Sequence, residues 1–450
     1  MSDQSAASAP IQTPPPTAPS APERTAAPAP KTAAPAPRTG VWFPRLLMAG
    51  LVLAALNLRP AITSLGALLE EVRDGLHMSG SVAGVLTSVP PLCFAVFGIT
   101  APRLARRFGP GAVVCAGMAA ITAGLVLRPF AGGTVAFLAA SALALVGIAL
   151  SNVLMPVIVK RFFPDRVGTM TGLYSMALAL GTSLAAAATV PLTQALGGWR
   201  AGLGIWAVLG VLAVLVWLPL ARAGSARTGR GTATEAAARA TGTAATAGPV
   251  PATAEAPALR ITRSRTAWAL ACFFGLQATG AYITMGWMPQ IFRDAGVSAS
   301  TAGVLLALTM VMGVPLAFVI PRVATRMRTQ GPIALVLAAC GLTGYAGLYL
   351  APAGGAWLWA LLLGISNCAF PLALTMIGMR SRSGAGVVRL SAFAQSVGYL
   401  ISIPGPILVG ALYQHSGGWG APLALMAGLL LPQMAAGMLA GRDRTIEDEG

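Results

Sequence analysis

The chain has 450 residues, 56% of them hydrophobic and only 10% charged, with a formal net charge of +17. A water-soluble protein of this length could not hide so much apolar surface, so lipid is the expected solvent and a soluble enzyme is excluded. Five cysteines lie in apolar stretches without a Cys-x-x-Cys pair, and the two histidines stand apart, which argues against a metal centre or a disulfide framework.

Residues 1–40 are Pro, Ala, Thr and Ser with scattered charge and lack the apolar core of a signal peptide, so a disordered cytoplasmic tail is expected. A membrane span needs about 20 apolar residues to cross roughly 30 Å of hydrocarbon. Such stretches are predicted near 43–65, 81–101, 111–129, 134–158, 168–192 and 200–220. Six more follow near 266–288, 300–320, 332–351, 356–378, 386–412 and 420–440. The fold class is therefore all-α integral membrane with twelve transmembrane helices. An N-terminal six-helix half is expected at 41–220 and a C-terminal one at 265–441. Residues 221–264 read as a cytoplasmic linker, and 442–450 as a solvated cytoplasmic tail ending in Glu447-Asp448-Glu449.

Internal repeats support two pseudo-symmetric halves. The stretch 79–107 returns without a gap at 298–326: each copy opens on a serine pair, runs Ala-Gly-Val-Leu, and closes on Pro-Arg-x-Ala-x-Arg. Ser151-Asn152-x-x-x-Pro156 likewise returns as Ser366-Asn367-x-x-x-Pro371. Duplicated membrane halves are the architecture of secondary transporters, with substrate held between the halves near the midplane.

With both termini inside, the cytoplasmic segments hold 25 of the 30 Lys and Arg, the external ones four (Arg73, Arg128, Arg200, Arg293), and Arg59 lies within the first span. This is the positive-inside pattern. Basic loops against anionic headgroups of the lipid bilayer account for the charge, and no nucleic-acid partner is implied.

Arg59 is the sharpest functional clue. A guanidinium inside a span costs roughly 2.5–3.5 kcal/mol on insertion scales. No Asp or Glu occupies the central part of any span, and Glu70, about 16 Å along a continuous helix, is too far for a bridge. Arg59 either ties backbone carbonyls loosened by Pro60 or meets an anion from solution, and the second reading is preferred. Candidate supporting groups are Asn57, Asn152, Asn367, Gln277, Tyr282 and Trp287, with Ser391, Gln395 and Tyr399 at four-residue spacing on one helix face. Each could equally be an interhelical hydrogen bond. Arg103, Arg107, Arg322 and Arg326, retained in the repeat, suggest a charged latch at the cytoplasmic ends. Pro60, Pro156 and Pro371 sit where they would loosen a helix. Gly84, Gly147, Gly181, Gly303, Gly364 and Gly398 would let helices approach closely.

The loop Gly98-x-x-x-Pro102-Arg103-Leu104-Ala105-Arg106-Arg107-Phe108-Gly109 resembles the signature loop of the major facilitator superfamily, though without its acidic residue. The stretches Asn57-Leu58-Arg59-Pro60-Ala61-Ile62-Thr63-Ser64 and Arg389-Leu390-Ser391-Ala392-Phe393-Ala394-Gln395-Ser396-Val397-Gly398-Tyr399 are similar to the cyanate permease and 2-nitroimidazole transporter family. The resemblance, over 43–440, implies a multi-pass carrier in a bacterial cytoplasmic membrane moving a small anionic or polar organic solute. Its partners would be that solute and a coupling proton, with a monomer as the working unit. No cofactor is implied. The rival readings are a multidrug-type exporter with a structural Arg59, and a non-transporting membrane sensor. An integral membrane enzyme is disfavoured, since no catalytic dyad, metal cluster or nucleotide loop is present.

Overall fold

A computed structural model describes residues 42–222 and 261–449. The expected tail 1–40 and nearly all of the expected linker 221–264 lie outside the described residues. Hydrocarbon offers the backbone no hydrogen-bond partner, so each apolar run closes its own helical bonds. Twelve membrane-length helices result among the described residues. They are α1 Pro44–Ala67, α2 Gly80–Gly98 (helical on to Phe108), α3 Pro110–Phe130, α4 Thr134–Phe162, α5 Thr169–Ala195 and α6 Trp199–Arg222. The second set is α7 Arg265–Asp294, α8 Ala299–Arg326, α9 Gly331–Leu350, α10 Ala356–Met379, α11 Gly386–Ser416 and α12 Gly420–Ala440. Among the described residues there is no strand. The helices alternate in direction. One end of the molecule, termed the tail end, carries Trp42, Arg265 and Ala440; the far end carries the short helix Leu69–Gly75 and the loops near 295 and 417.

The repeats have structural counterparts. Ser79 and Ser298 are N-caps of α2 and α8, accepting from the amides of Val82 at 3.3 Å and Thr301 at 3.2 Å. Ser151 and Ser366 lie against Gly117 and Gly341 of the preceding helix, places where a side chain on the glycine would collide with the serine hydroxyl. The same device thus joins α3 to α4 and α9 to α10.

Apart from a turn at Ile205–Trp206 in α6, four helices are interrupted among the described residues: α1 after Asn57, α8 at Met312, α10 at Cys368 and α11 at Ile403. Each break lies shortly before a proline (Pro60, Pro315, Pro371, Pro404), which has no N–H for the helical ladder. At Pro156 the helix α4 runs on without a break.

The six glycines singled out from the sequence all stand at tight helix contacts. Two of them close the far end. A Cβ on Gly84 would meet the Pro406 carbonyl oxygen of α11 at 2.8 Å, and one on Gly303 would meet that of Ala186 on α5 at 2.6 Å. Gly66 of α1 seats against the Met285 carbonyl of α7 in the same way. Ion pairs lie over these contacts. Arg293 of α7 binds Glu71 at 2.9 Å and Glu70 at 2.9 Å, while Gln290 Nε2 donates to Glu70 at 3.3 Å. Ser81 donates to Gln414 Oε1 at 3.0 Å. Every one of these contacts joins the first six helices to the last six.

The acidic C-terminus is docked rather than solvated. Glu449 accepts from Ser264 Oγ at 2.6 Å, Thr266 Oγ1 at 2.8 Å and Thr266 N at 3.1 Å, at the start of α7. Glu447 accepts from Ser381 Oγ at 2.6 Å and Arg382 N at 3.1 Å, just before α11. Orphan amides and helix dipoles at two helix starts explain why carboxylates settle there.

Candidate functional site

A cavity of about 500 Å³ lies between the two sets of helices. Arg59, at the break of α1, is on its wall with Gln277 and Tyr282 of α7, Asn367 and Pro371 of α10, and Tyr399 of α11. Apolar groups supply the rest, among them Phe274, Met285, Met310 and Leu178. The wall extends toward the tail end as far as Pro321 and Thr375, within two turns of the ends of α8 and α10. On the opposite side the contacts of Gly66, Gly84 and Gly303 seal it. The cavity is therefore closed at the far end, and its wall runs toward the tail end.

The local sequence explains how Arg59 comes to face it. Pro60 breaks the ladder, and the Arg59 carbonyl becomes the cap of the following segment, accepting from Ile62 N at 2.9 Å, Thr63 N at 3.1 Å and Thr63 Oγ1 at 3.1 Å. The guanidinium approaches the Tyr282 hydroxyl and lies within electrostatic reach of those of Tyr174 and Tyr399. Among the described residues it forms no ion pair. Half-buried, Arg59 keeps donor capacity toward the cavity, and a guanidinium can hold a carboxylate through two parallel bonds. Gln277 Nε2 reaches the Asn367 carbonyl at 3.5 Å, which leaves the Gln277 Oε1 without a partner. One cation, two phenol hydroxyls, two amides and an apolar surround suit an organic anion with an apolar body.

Five sequence-selected residues are turned elsewhere. Asn57 is fully buried and directs Nδ2 to Met118 Sδ at 3.7 Å on α3. Asn152 Oδ1 accepts from the Tyr174 hydroxyl at 2.6 Å, so it supports the site through that tyrosine rather than lining it. Trp287 lies toward the far end of α7 in an aromatic group with Tyr413 and Trp419. Gln395 donates to Ser391 at 2.7 Å, and neither lines the cavity. Four-residue spacing from Tyr399 did not bring them to its wall. Tyr174 escaped the sequence reading: a lone tyrosine in an Ala-rich span carries no marker of which face it occupies.

Arg103 and Arg107 on α2 and Arg322 and Arg326 on α8 are exposed at the tail end, with no ion pair among the described residues. Arg128, at the far end of α3, is wholly buried, donating to Ser141 Oγ at 2.9 Å and the Ala61 carbonyl at 2.7 Å.

Comparison with known proteins agrees with this architecture. The Major Facilitator Superfamily profile matches residues 46–402. An uncharacterized transporter of Bacillus subtilis, YycB, is 36% identical over 89% of this chain and 94% of its own. The 2-nitroimidazole transporter of Escherichia coli is 33% identical over 89% and 96%, and the cyanate transport protein CynX of the same organism 29% identical over 85% and 94%. A D-xylose-proton symporter structure superposes with a TM-score of 0.68 at 14% identity, covering 91% of this chain and 99% of that one, a likeness of fold. The chain is a multi-pass membrane transporter, not an enzyme, and it belongs to the Major Facilitator Superfamily.

Proposed function

We propose that this transporter carries a small organic anion by alternating access, with Arg59 as the anion contact and Tyr282, Tyr399, Gln277 and Asn367 shaping the rest of the site. The observation behind this reading is a guanidinium at a cavity between the helix sets, with two phenols on the same wall and, among the described residues, no carboxylate to neutralise it. Lys and Arg gather at the tail end, which supports placing that end in the cytoplasm of a bacterial cell and makes this conformer inward-facing. The names of two relatives point to small polar or anionic solutes. The cavity volume and its apolar wall favour a solute with an aromatic or aliphatic body.

No carboxylate lines the cavity among the described residues. Exchange, facilitated diffusion, or a proton moving with the anion suits that better than a carboxylate relay. The exposed Arg103/Arg107 and Arg322/Arg326 pairs would then close the cytoplasmic end in the opposite conformer. A single chain suffices for the cycle. The test is uptake into proteoliposomes of benzoate, cyanate and 2-nitroimidazole, with benzamide as a neutral control. Benzoate uptake that Arg59→Gln abolishes supports the reading. Preference for benzamide, retained in Arg59→Gln, replaces it with an exporter of neutral apolar compounds.

A further inference from the structure

Arg128 is a second cation, buried between helices, that the site above does not use. It ends α3, is 0% exposed, and rests 5.8 Å from the centre of the Phe137 ring. Its Nε and one Nη are hydrogen-bonded to Ser141 and to the Ala61 carbonyl, two residues beyond Arg59 in α1. The other Nη has no partner at all. A buried guanidinium N–H left unpaired in a closed core costs free energy, so its retention calls for an occupant in some other state.

The surroundings indicate where that occupant would sit. Arg128 borders a small cavity of about 10 Å³ that runs between α1, α2 and α4 on one side and α7 on the other. Ala61, Leu65, Gly66, Thr87 and Gly286 line it, together with Tyr282. Tyr282 also lines the large cavity, as Arg59 does. The two arginines thus occupy opposite sides of one tyrosine: Arg59 toward the tail end, Arg128 toward the far end. In this conformer the Gly66–Met285 contact holds α1 against α7, and the small space admits no more than about one water. Parting α1 from α7 at the far end would widen that space and bring the free Nη to its wall.

We infer that Arg128 is an outer anion subsite, occupied when the far end is open, from which the organic anion passes Tyr282 to Arg59. This rests on the anion reading of Arg59 and adds to it a second station with its own residue.

Equilibrium binding of radiolabelled benzoate in two conformers separates the possibilities. The parent protein represents the far-end-closed state. Gly84→Trp represents the far-end-open state, because its side chain would have to occupy the position of the Pro406 and Ile407 backbone. Gly303→Trp, against the Ala186 carbonyl, is the alternative should Gly84→Trp fail to insert. Arg128→Gln is expected to weaken benzoate at least about tenfold in the Gly84→Trp background and less than about twofold in the parent, the size of one lost charge-assisted contact. Arg128→Lys should recover part of the loss, and Ser141→Ala, which frees Nε, should give a smaller loss with the same conformer dependence. Equal losses in both backgrounds, or none in Gly84→Trp, would show Arg128 to be a structural tie and overturn the subsite. Arg59→Gln tells the two ideas apart: parental affinity in that variant removes the anion reading itself, whereas a loss there with a silent Arg128→Gln removes only the outer station.

Discussion

Glu71→Gln is a direct probe of the far-end closure. Arg293 Nη1 binds both Glu71 oxygens, at 2.9 and 3.0 Å, while its Nη2 holds Glu70 at 2.9 Å. Hydrogen bonds to charged groups contribute about 1.5–3 kcal/mol. The Arg293 and Glu71 side chains are 18% and 29% exposed, so solvent screening reduces the Glu71 share to about 1–2 kcal/mol. Because about 1.4 kcal/mol is a factor of ten, the far-end-closed to far-end-open ratio should fall roughly 5- to 30-fold. Spin labels at the exposed positions Asp74 and His415, in a cysteine-free background, report the separation of the two helix sets at that end. Glu71→Gln should raise the long-distance population, and adding Arg293→Gln should raise it further by less than the sum of the single effects, since the two share a contact. An unchanged distance distribution in both single variants would show that the glycine contacts alone close this end and that the ion pairs contribute nothing.

Other outcomes follow from the same geometry. Ser391→Ala and Gln395→Ala should leave benzoate affinity within about twofold, because the pair bonds to itself away from the cavity, whereas Tyr282→Phe should weaken it about fivefold or more on isothermal calorimetry. Tyr174→Phe removes the donor to Asn152, and the uncovered amide oxygen should cost about 1–3 kcal/mol of stability, read as a lower melting temperature of purified protein. Partial burial pushes the Glu447 and Glu449 carboxyls up, but the hydrogen bonds from Ser381, Ser264, Thr266 and the nearby amides outweigh it and hold both below the ordinary value of 4.5. A depressed folded-state value means that this stabilisation is complete above pH 4.5 and is lost as pH falls through the lower, folded-state value. Amide exchange at Thr266 and Arg382 should therefore stay slow from neutral pH down to about 5 and accelerate in stronger acid, relative to the intrinsic rate, while Glu449→Gln should speed exchange at Thr266 already at pH 7.

How much of this could be read from the chain depends on what lipid hides. Span number and the special standing of Arg59 follow from length and polarity, because a membrane enforces both. Small residues such as Gly84 and Gly303 could be read as contact points for the same reason: only a missing side chain lets two backbones meet. Helix rotation is different. Lipid and protein core are both apolar, so α5 and α11 show little difference between their faces, and neither Tyr174 nor the pair Ser391/Gln395 announces its direction. The burial of Arg128 was not legible either, because its partners, Ser141 on the next helix and the Ala61 carbonyl on the first, are set by helix packing. The tail Glu447–Glu449 looked solvated, but its partners are serine and threonine hydroxyls, helix-start amides and the Arg382 guanidinium, groups distant in sequence that composition does not pair with it.

The central claim is that cargo neutralises Arg59. Calorimetric titration of purified wild-type protein and Arg59→Gln with benzoate and with benzamide tests it most directly. The account predicts binding of benzoate over benzamide by wild type, and a loss in Arg59→Gln of at least about a hundredfold for benzoate with little change for benzamide, as befits a buried charge-assisted contact. Equal affinity of the two proteins for benzoate would contradict it.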